Sequence, residues 1–314
     1  MEHVSIEQLD LDEIKGKETF QLEISSLFDG MPISVPCGVV SNGEGPKMCI
    51  ISGQHGNEWN GVYSSQRFFK DLEKDSIKGT TIVIPVANPL AFNEKSRVSN
   101  IDHIDLNRTF SNSARSKPTK YLGKALLEEV LSNTDYVIDI HSGGPGEYSP
   151  HVTVPSVEGL EIASKLLFST ILRDDLVKGE CSEGSLEKAS LNEDFTNLTI
   201  EAGYHRNIDQ QYVDKILKGL ENLFKDLGIL AGESKTIDYE VYREKIKVKS
   251  PISGFFDPSV ELGDSVEEED VIGNVEGVLE GGEEVESSYP GKVLYLRRER
   301  VVAEGENLVH LVRR

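Results

Sequence analysis

The stretch Ile51–Gly61, ISGQHGNEWNG, decides how the rest of this chain is read. It follows the apolar run Cys49, Ile50 and Ile51, the mark of a buried strand, and it sets His55 and Glu58 three residues apart. A strand that ends in a glycine-flanked loop and opens into a helix is a common mount for a metal. Gly53 and Gly56 allow a tight turn, and Asn57 is placed to cap the helix. One rigid turn can aim an imidazole and a carboxylate at a single ion. Zinc accepts that N/O pair and draws a third ligand from far along the chain. His-x-x-Glu alone is weak: with seven His and 35 Glu in the chain, roughly 0.8 such pairs arise by chance, so the case rests on the other segments.

Working outward, 314 residues with 38% apolar content make a globular chain with a real core, long enough for one large domain and a small one. No run approaches the roughly eighteen apolar residues of a membrane span. The N-terminus, MEHVSIEQLDLDEIKGK, has neither the basic start nor the apolar centre of a signal peptide. Three cysteines, Cys37, Cys49 and Cys181, without CxxC spacing fit a reduced, cytoplasmic protein. A formal net charge of −21 argues against nucleic acid and anionic membranes as partners. Salt adaptation is another reading of that charge, but the basic residues are mostly Lys. Residues 95–117 invert the balance, with Lys95, Arg97, Arg108, Arg115 and Lys117 against two Asp. Such an island either focuses an anionic small molecule or is an ordinary solvated loop.

The chain in order predicts short strands and turns over 1–46, a buried strand over 47–52 and a helix over 58–73. A continuous apolar strand over 80–86 ends at Asn88-Pro89, and an irregular polar loop runs on to Asn107. A helix over 120–131, strands over 136–140 and 151–154, and a helix over 158–168 follow. A strand over 197–202 and a strongly periodic helix over 209–227 complete the alternation, an α/β pattern with a parallel or mixed sheet. Near residue 240 the helical period stops. Two segments then echo each other, VKSPISGFFDPSVELGDSVEEEDVIGNV from Val248 and VESSYPGKVLYLRRERVVAEGENLVHLV from Val285. They resemble the pseudo-symmetric β-sandwich of biotinyl and lipoyl carrier domains. The connecting EGVLEGGEEVE lacks the carrier lysine, so the resemblance implies the fold and not a swinging arm. The expected domains are 1–240, catalytic, and 241–314, a β-barrel-sandwich.

His141, in DIHSGG, sits at the carboxyl edge of a strand, where α/β sites lie, and suits a third ligand. The alternative is a strand-end His bonded to backbone. In KSRVSNIDHIDLNRTF, an Arg–Asn pair can grip a carboxylate, a second Arg can polarise a carbonyl, and Asp105 can accept from a ligating His. Glu201, in NLTIEAGY, is a carboxylate at the end of an apolar strand and can move a proton beside a metal.

Together these pieces resemble the succinylglutamate desuccinylase/aspartoacylase family, relatives of the zinc carboxypeptidases. The matching motifs are GQHGNE (53–58), PVANPLAF (85–92), Arg97 with DLNRTF (105–110), YVIDIHSGG (136–144) and TIEAG (199–203), in family order. The resemblance implies a zinc-carboxypeptidase-like mixed sheet flanked by helices. It implies one zinc per chain on His55, Glu58 and His141, and Glu201 as general base. Arg97 would polarise the carbonyl, Asn107 and Arg108 would bind a carboxylate, and Asp105 would stand behind a zinc histidine. Ser111-Asn112 replaces the proline-glycine often seen after the family's Arg-x-Phe, a departure expected to touch pocket shape. His103, Tyr148, His151, Tyr204 and His205 are near enough in sequence to line the pocket. The expected activity is zinc-dependent deacylation of an anionic N-acyl amino acid. The alternatives are a zinc carboxypeptidase acting on peptides and a non-catalytic zinc- or ligand-binding protein. The acyl group, the amino acid and whether the chain is a homo-oligomer stay open.

Overall fold

A computed structural model describes the chain except residues 112–116, 174–182 and 280. One large mixed sheet organises it. Strands β1 (Glu2–Ser5), β2 (Gly16–Ser26) and β3 (Pro32–Ser41) open the chain. β2 and β3 form one long antiparallel hairpin rather than short strands. Pro32 and Pro36 do not break it, because they lie where β2 alone flanks β3; β5 joins only from Gly38 onward.

The central strands are β4 (Lys47–Ser52), β5 (Thr80–Ile84) and β6 (Tyr136–Gly143), separated by helices α1 (Trp59–Asp71), α2 (Pro89–Glu94) and α3 (Pro118–Glu129). After them come β7 (Gly146–Val154), α4 (Gly159–Ser164), β8 (Thr170–Arg173), α5 (Leu186–Ser190), β9 (Thr196–Tyr204) and α6 (Gln210–Asp226). The sheet order is β1-β2-β3-β5-β4-β6-β9-β7, with β5, β4, β6 and β9 mutually parallel. Adjacent residues of these strands feed opposite cores. Ile51, Ile84 and Val137 pack with Leu122 and Leu126 of α3. Ile50, Ile138 and Ile200 pack with Phe68 of α1 and Leu220 and Phe224 of α6. Covering both faces is why the strands read as unbroken apolar runs.

Several local expectations change. Asn57 does not cap α1: Glu58 holds the cap position without a side-chain bond, and the Asn57 amide instead meets His205 Nδ1 at 3.1 Å. The stretch after β5 is not simply a loop. Asn88 caps α2 by accepting from the Ala91 N–H, Pro89 stands at the first turn, and Leu106–Arg108 form a 3-10 turn. The helix expected over 158–168 stops at Ser164, and β8 and α5 appear where no element was expected. Cys37 and Cys49 are buried free thiols, and Cys181 lies outside the described residues. Among the described residues no helix is long and apolar enough to cross a membrane.

Beyond residue 239 the regular elements among the described residues are all strands: β10 (Glu240–Tyr242), β11 (Glu244–Lys249), β12 (Gly254–Pro258), β13 (Ser265–Val266), β14 (Val271–Glu276), β15 (Gly282–Glu286), β16 (Gly291–Arg297), β17 (Val301–Val302) and β18 (Asn307–Arg313). The two echoing segments correspond to β11–β14 and β15–β18, and they pair reciprocally. β11 joins β18 as β14 joins β15, and β12 joins β17 as β13 joins β16. Phe256, Ile272, Val275, Val293, Leu308 and Leu311 fill the space between them. These strands are also tied to the large sheet. β16 pairs β7, so the order runs on as β7-β16-β18-β11.

Candidate metal centre and active-site cavity

The parallel strands all deliver their carboxyl ends to one edge, and the candidate residues sit there. Gly53, at φ 64°, turns the chain as β4 ends. Gly56 is small for another reason: a Cβ there would lie 2.0 Å from the Ala91 carbonyl carbon. The resulting tight loop brings Glu58 back so that its Oε1 is 2.8 Å from His55 Nδ1. Its Oε2 is 2.8 Å from His141 Nδ1 on β6 and accepts the Ser142 N–H at 3.1 Å. Candidate donor atoms of His55, Glu58 and His141 lie within 4.8 Å of one another, and all three residues are buried.

This donor set fits a single metal ion. His55 Nδ1, though close to Glu58, has no hydrogen bond of acceptable geometry and is sealed from solvent, an orphaned position that an ion would satisfy. The far side of each imidazole is held by a carboxylate: His55 Nε2 meets Asp105 Oδ1 at 2.9 Å, and His141 Nε2 meets Asp139 Oδ2 at 3.0 Å. Such partners fix the ring orientation and tautomer of a ligating His. Gln54 donates to the same Asp139 oxygen at 2.7 Å. Asp139 and Gln54 escaped the sequence reading. The signal was present, since residues two apart in a strand share a face, so Asp139 and His141 must lie side by side.

Electrostatics follows this geometry. Burial opposes the charge on Glu58, but His55 and His141 outweigh it and hold the carboxyl well below its usual range. Burial likewise opposes ionisation of Asp105, and the His55 hydrogen bond with the Arg97 charge reverses the sign. Glu201 differs. Burial dominates and pushes its carboxyl from 4.5 up to about 8, and its Oε2 is enclosed without a hydrogen-bond partner. Its register is informative: Glu201 on β9 is the direct cross-strand neighbour of His141 on β6 and of His151 on β7.

Arg97 is half-exposed, its Nη2 donating to Asp105 Oδ2 at 3.0 Å and its Nη1 to Glu58 Oε1 at 3.4 Å. Asn107 has one amide end engaged, its Oδ1 accepting the Leu186 N–H of α5 at 2.9 Å. Arg108 is exposed at the rim and donates to the Asn107 carbonyl. These side chains line one cavity of about 580 Å³ together with His55, Glu58, His141 and Glu201. Asp105 stands behind it, against His55.

Of the further candidates, Tyr148 and His151 line the cavity. His103, Tyr204 and His205 are not among its lining; His205 is occupied by Asn57 and Glu299. Residues not anticipated at all come from the C-terminal strands: Lys245, Lys247, Tyr295, Arg297 and His310. Their side chains continue a row across the sheet, Tyr148 opposite Tyr295, Tyr295 opposite His310, and His310 opposite Lys247. Tyr295 stacks on His310 at 4.4 Å between ring centroids. Of Ser111-Asn112, expected to touch pocket shape, Asn112 lies outside the described residues.

The edge of the α/β sheet thus gathers three residues that could hold one metal ion, with a buried carboxylate beside them. Residues 44–227 match the succinylglutamate desuccinylase/aspartoacylase catalytic domain, and the chain belongs to that family. Among curated proteins it is similar to the N-alpha-acetyl-L-2,4-diaminobutyric acid deacetylase of Halomonas elongata, 24% identical over 80% of this chain and 76% of that protein. It is also similar to an N-acyl-aromatic-L-amino acid amidohydrolase (carboxylate-forming) of Xenopus tropicalis, 31% identical over 36% of this chain and 37% of that protein. Among solved structures, a product-bound ectoine utilization protein EutE (DoeB) from Ruegeria pomeroyi superposes with a TM-score of 0.87. It is 21% identical, with 97% of each chain covered.

Proposed function

We propose that this chain is a zinc-dependent hydrolase that removes the acyl group from the nitrogen of an N-acyl amino acid. The observation that carries the reading is the pairing of a three-donor centre with Glu201 one strand away, in register with His141. The family membership and the deacylase and amidohydrolase names of the two curated relatives support it. Two imidazoles and one carboxylate are a donor set that zinc favours, with a fourth position left for substrate or water.

In this mechanism His55, Glu58 and His141 hold the ion, and Asp105 and Asp139 keep the two rings aimed. When bound, zinc acidifies a water to a pKa of about 7 and polarises the amide carbonyl. Glu201 accepts the proton of the attacking water and returns it to the nitrogen. The C–O bond forms first, as water adds to the carbonyl carbon, and the C–N bond then breaks as the nitrogen takes the proton, releasing a carboxylic acid and a free amine. Arg97 faces the developing oxyanion. With its Oδ1 committed to Leu186, Asn107 offers its NH₂ end to the substrate's α-carboxylate, beside Arg108.

The same reading treats residues 1–240 as a carboxypeptidase-like catalytic domain and 241–314 as a β-barrel-sandwich of the biotinyl/lipoyl kind. The reciprocal strand pairing of the second segment supports that division. A cavity walled on one side by the C-terminal strands favours a small N-acyl amino acid over a peptide chain. The test is release of free amino acid from N-acetyl, N-succinyl and N-formyl amino acids, with and without chelator. Chelator-sensitive release supports the deacylase; release of C-terminal residues from peptides, with none from N-acyl amino acids, would replace it with the carboxypeptidase.

A further inference from the structure

The loop that carries His55 and Glu58 also reaches the back of the third candidate ligand. Residues 53–58 leave β4 by a tight turn whose backbone is pinned to the segment after β5. There the Ala87 N–H donates to the Ser52 carbonyl at 2.9 Å, and the Asn88 N–H to the Gly53 carbonyl at 3.0 Å. A Cβ at Gly53 would lie 2.9 Å from the Pro85 carbonyl oxygen, so the turn has little room to shift. Gln54 follows it directly and is buried.

The Gln54 amide is committed to a single partner. Its Nε2 donates to Asp139 Oδ2 at 2.7 Å, the same oxygen that meets His141 Nε2 at 3.0 Å. A carboxylate oxygen only accepts, so the amide must present its nitrogen there. Asp139 Oδ1 is enclosed and has no hydrogen-bond partner among the described residues. The other histidine is served differently. Asp105, behind His55, is held by Arg97 and by the Asn107 N–H as well. Behind His141, among the described residues, Gln54 alone shares Asp139 with the ring. With Nε2 tied to that carboxylate, His141 turns Nδ1 toward Glu58 and the candidate ion position.

We propose that Gln54 is a positioning residue for the metal centre, acting through Asp139 on His141. The proposal rests on the metal centre of the proposed function. It makes one loop set all three ligands: His55 and Glu58 by carrying them, and His141 through the Gln54 amide. The pinned backbone explains how a single side chain can do this, since Gln54 starts from a fixed point.

Zinc affinity of the full chain, read by competition with a chromogenic chelator, tests the proposal. Gln54→Met keeps the side chain's length and removes the donor; an affinity about 10-fold weaker than wild type is expected. Gln54→Glu sets a second carboxylate against Asp139 and is expected to lose more, about 100-fold. Once the Asp139 carboxylate is gone, a residue that acts through it has no further effect. Adding Gln54→Met to Asp139→Ala should therefore cost less than about 2-fold. A packing role would leave the Met variant at wild-type affinity, because Met fills a similar volume. That result overturns the proposal, as does a loss that recurs at full size beside Asp139→Ala. If Gln54→Met does not fold, Gln54→Asn, which withdraws the same amide by one methylene, takes its place with the same two outcomes. Wild type that takes up no zinc overturns the metal centre and this proposal together. Wild type that binds zinc but hydrolyses no N-acyl amino acid overturns the deacylase reading alone, and the affinities still decide the role of Gln54.

Discussion

The two walls of this cavity are built by opposite means. The candidate metal wall is made of mostly buried side chains: Glu58 bonded to His141 and 2.8 Å from His55, Asp105 hydrogen-bonded behind one ring, and Asp139 with Gln54 behind the other. The opposite wall is made of long lysines on the edge strand β11, graded from half-buried to exposed. Chemistry at one fixed atom needs positions held to a fraction of an ångström, which rigid elements and a supporting shell supply. Recognition of a charged end tolerates flexible stems, because a lysine is a point charge with three rotatable donors. On the proposed function, turnover would belong to the first wall, while the second would border the substrate.

That division can be broken experimentally. The largest effect is expected for His141→Ala: metal content falls from about one per chain to near zero, and turnover drops by more than about 10³-fold, since both the ion's acidity and its charge are lost. Metal analysis alongside rates checks it. Glu201→Gln should keep its metal and lose about 10²- to 10⁴-fold in kcat, the usual worth of a general base. A Glu201→Gln enzyme with wild-type rates would remove the assigned base. Replacing Asp139 by Asn leaves every ligand in place and disturbs only the His141 ring; a metal affinity about 10- to 100-fold weaker is expected by competition with a chelator. The same variant with unaltered affinity would make Asp139 a packing residue.

The smallest expected effect sharpens the cost of the metal wall. In the metal-free protein burial raises the Glu201 carboxyl from 4.5 to about 8. The folded state therefore holds its proton where the unfolded state has released it. The stability contributed by that protonated carboxyl is complete below about pH 4.5 and is lost as pH rises through about 8. With chelator present, Glu201→Gln should melt about 5 °C above wild type at pH 8.5, with the gap narrowing toward pH 5.5. A gap that does not change with pH would mean that the carboxylate is not strained.

Much of the first wall was legible from the chain alone. His55 and Glu58 are fixed relative to each other by four consecutive residues, and the apolar runs at 47–52, 80–86, 136–140 and 197–202 announce strands buried on both faces. Asp139 was legible in principle from strand periodicity. Asn57 was misread because its partner, His205, is 148 residues away, and no local rule outranks that contact. β8 is short, so its run carries little pattern, and its place depends on pairing with β7 and β10.

The second wall was not legible. Lys-x-Lys-x-Lys reads as a solvated strand face, and the echoing segments read as a unit of their own. Sequence determined which residues alternate on β11, which segments repeat, and that His55, Glu58, His141 and Glu201 are the right types for a metal hydrolase. Tertiary structure alone decided that β16 pairs with β7. That pairing carries the sheet past the catalytic strands, sets Tyr148 opposite Tyr295, and brings Lys245 and Lys247 into the cavity with Glu201. The physical reason is range: periodicity is a property of neighbours in the chain, whereas a pocket is made by strands whose hydrogen bonds join residues some 150 positions apart.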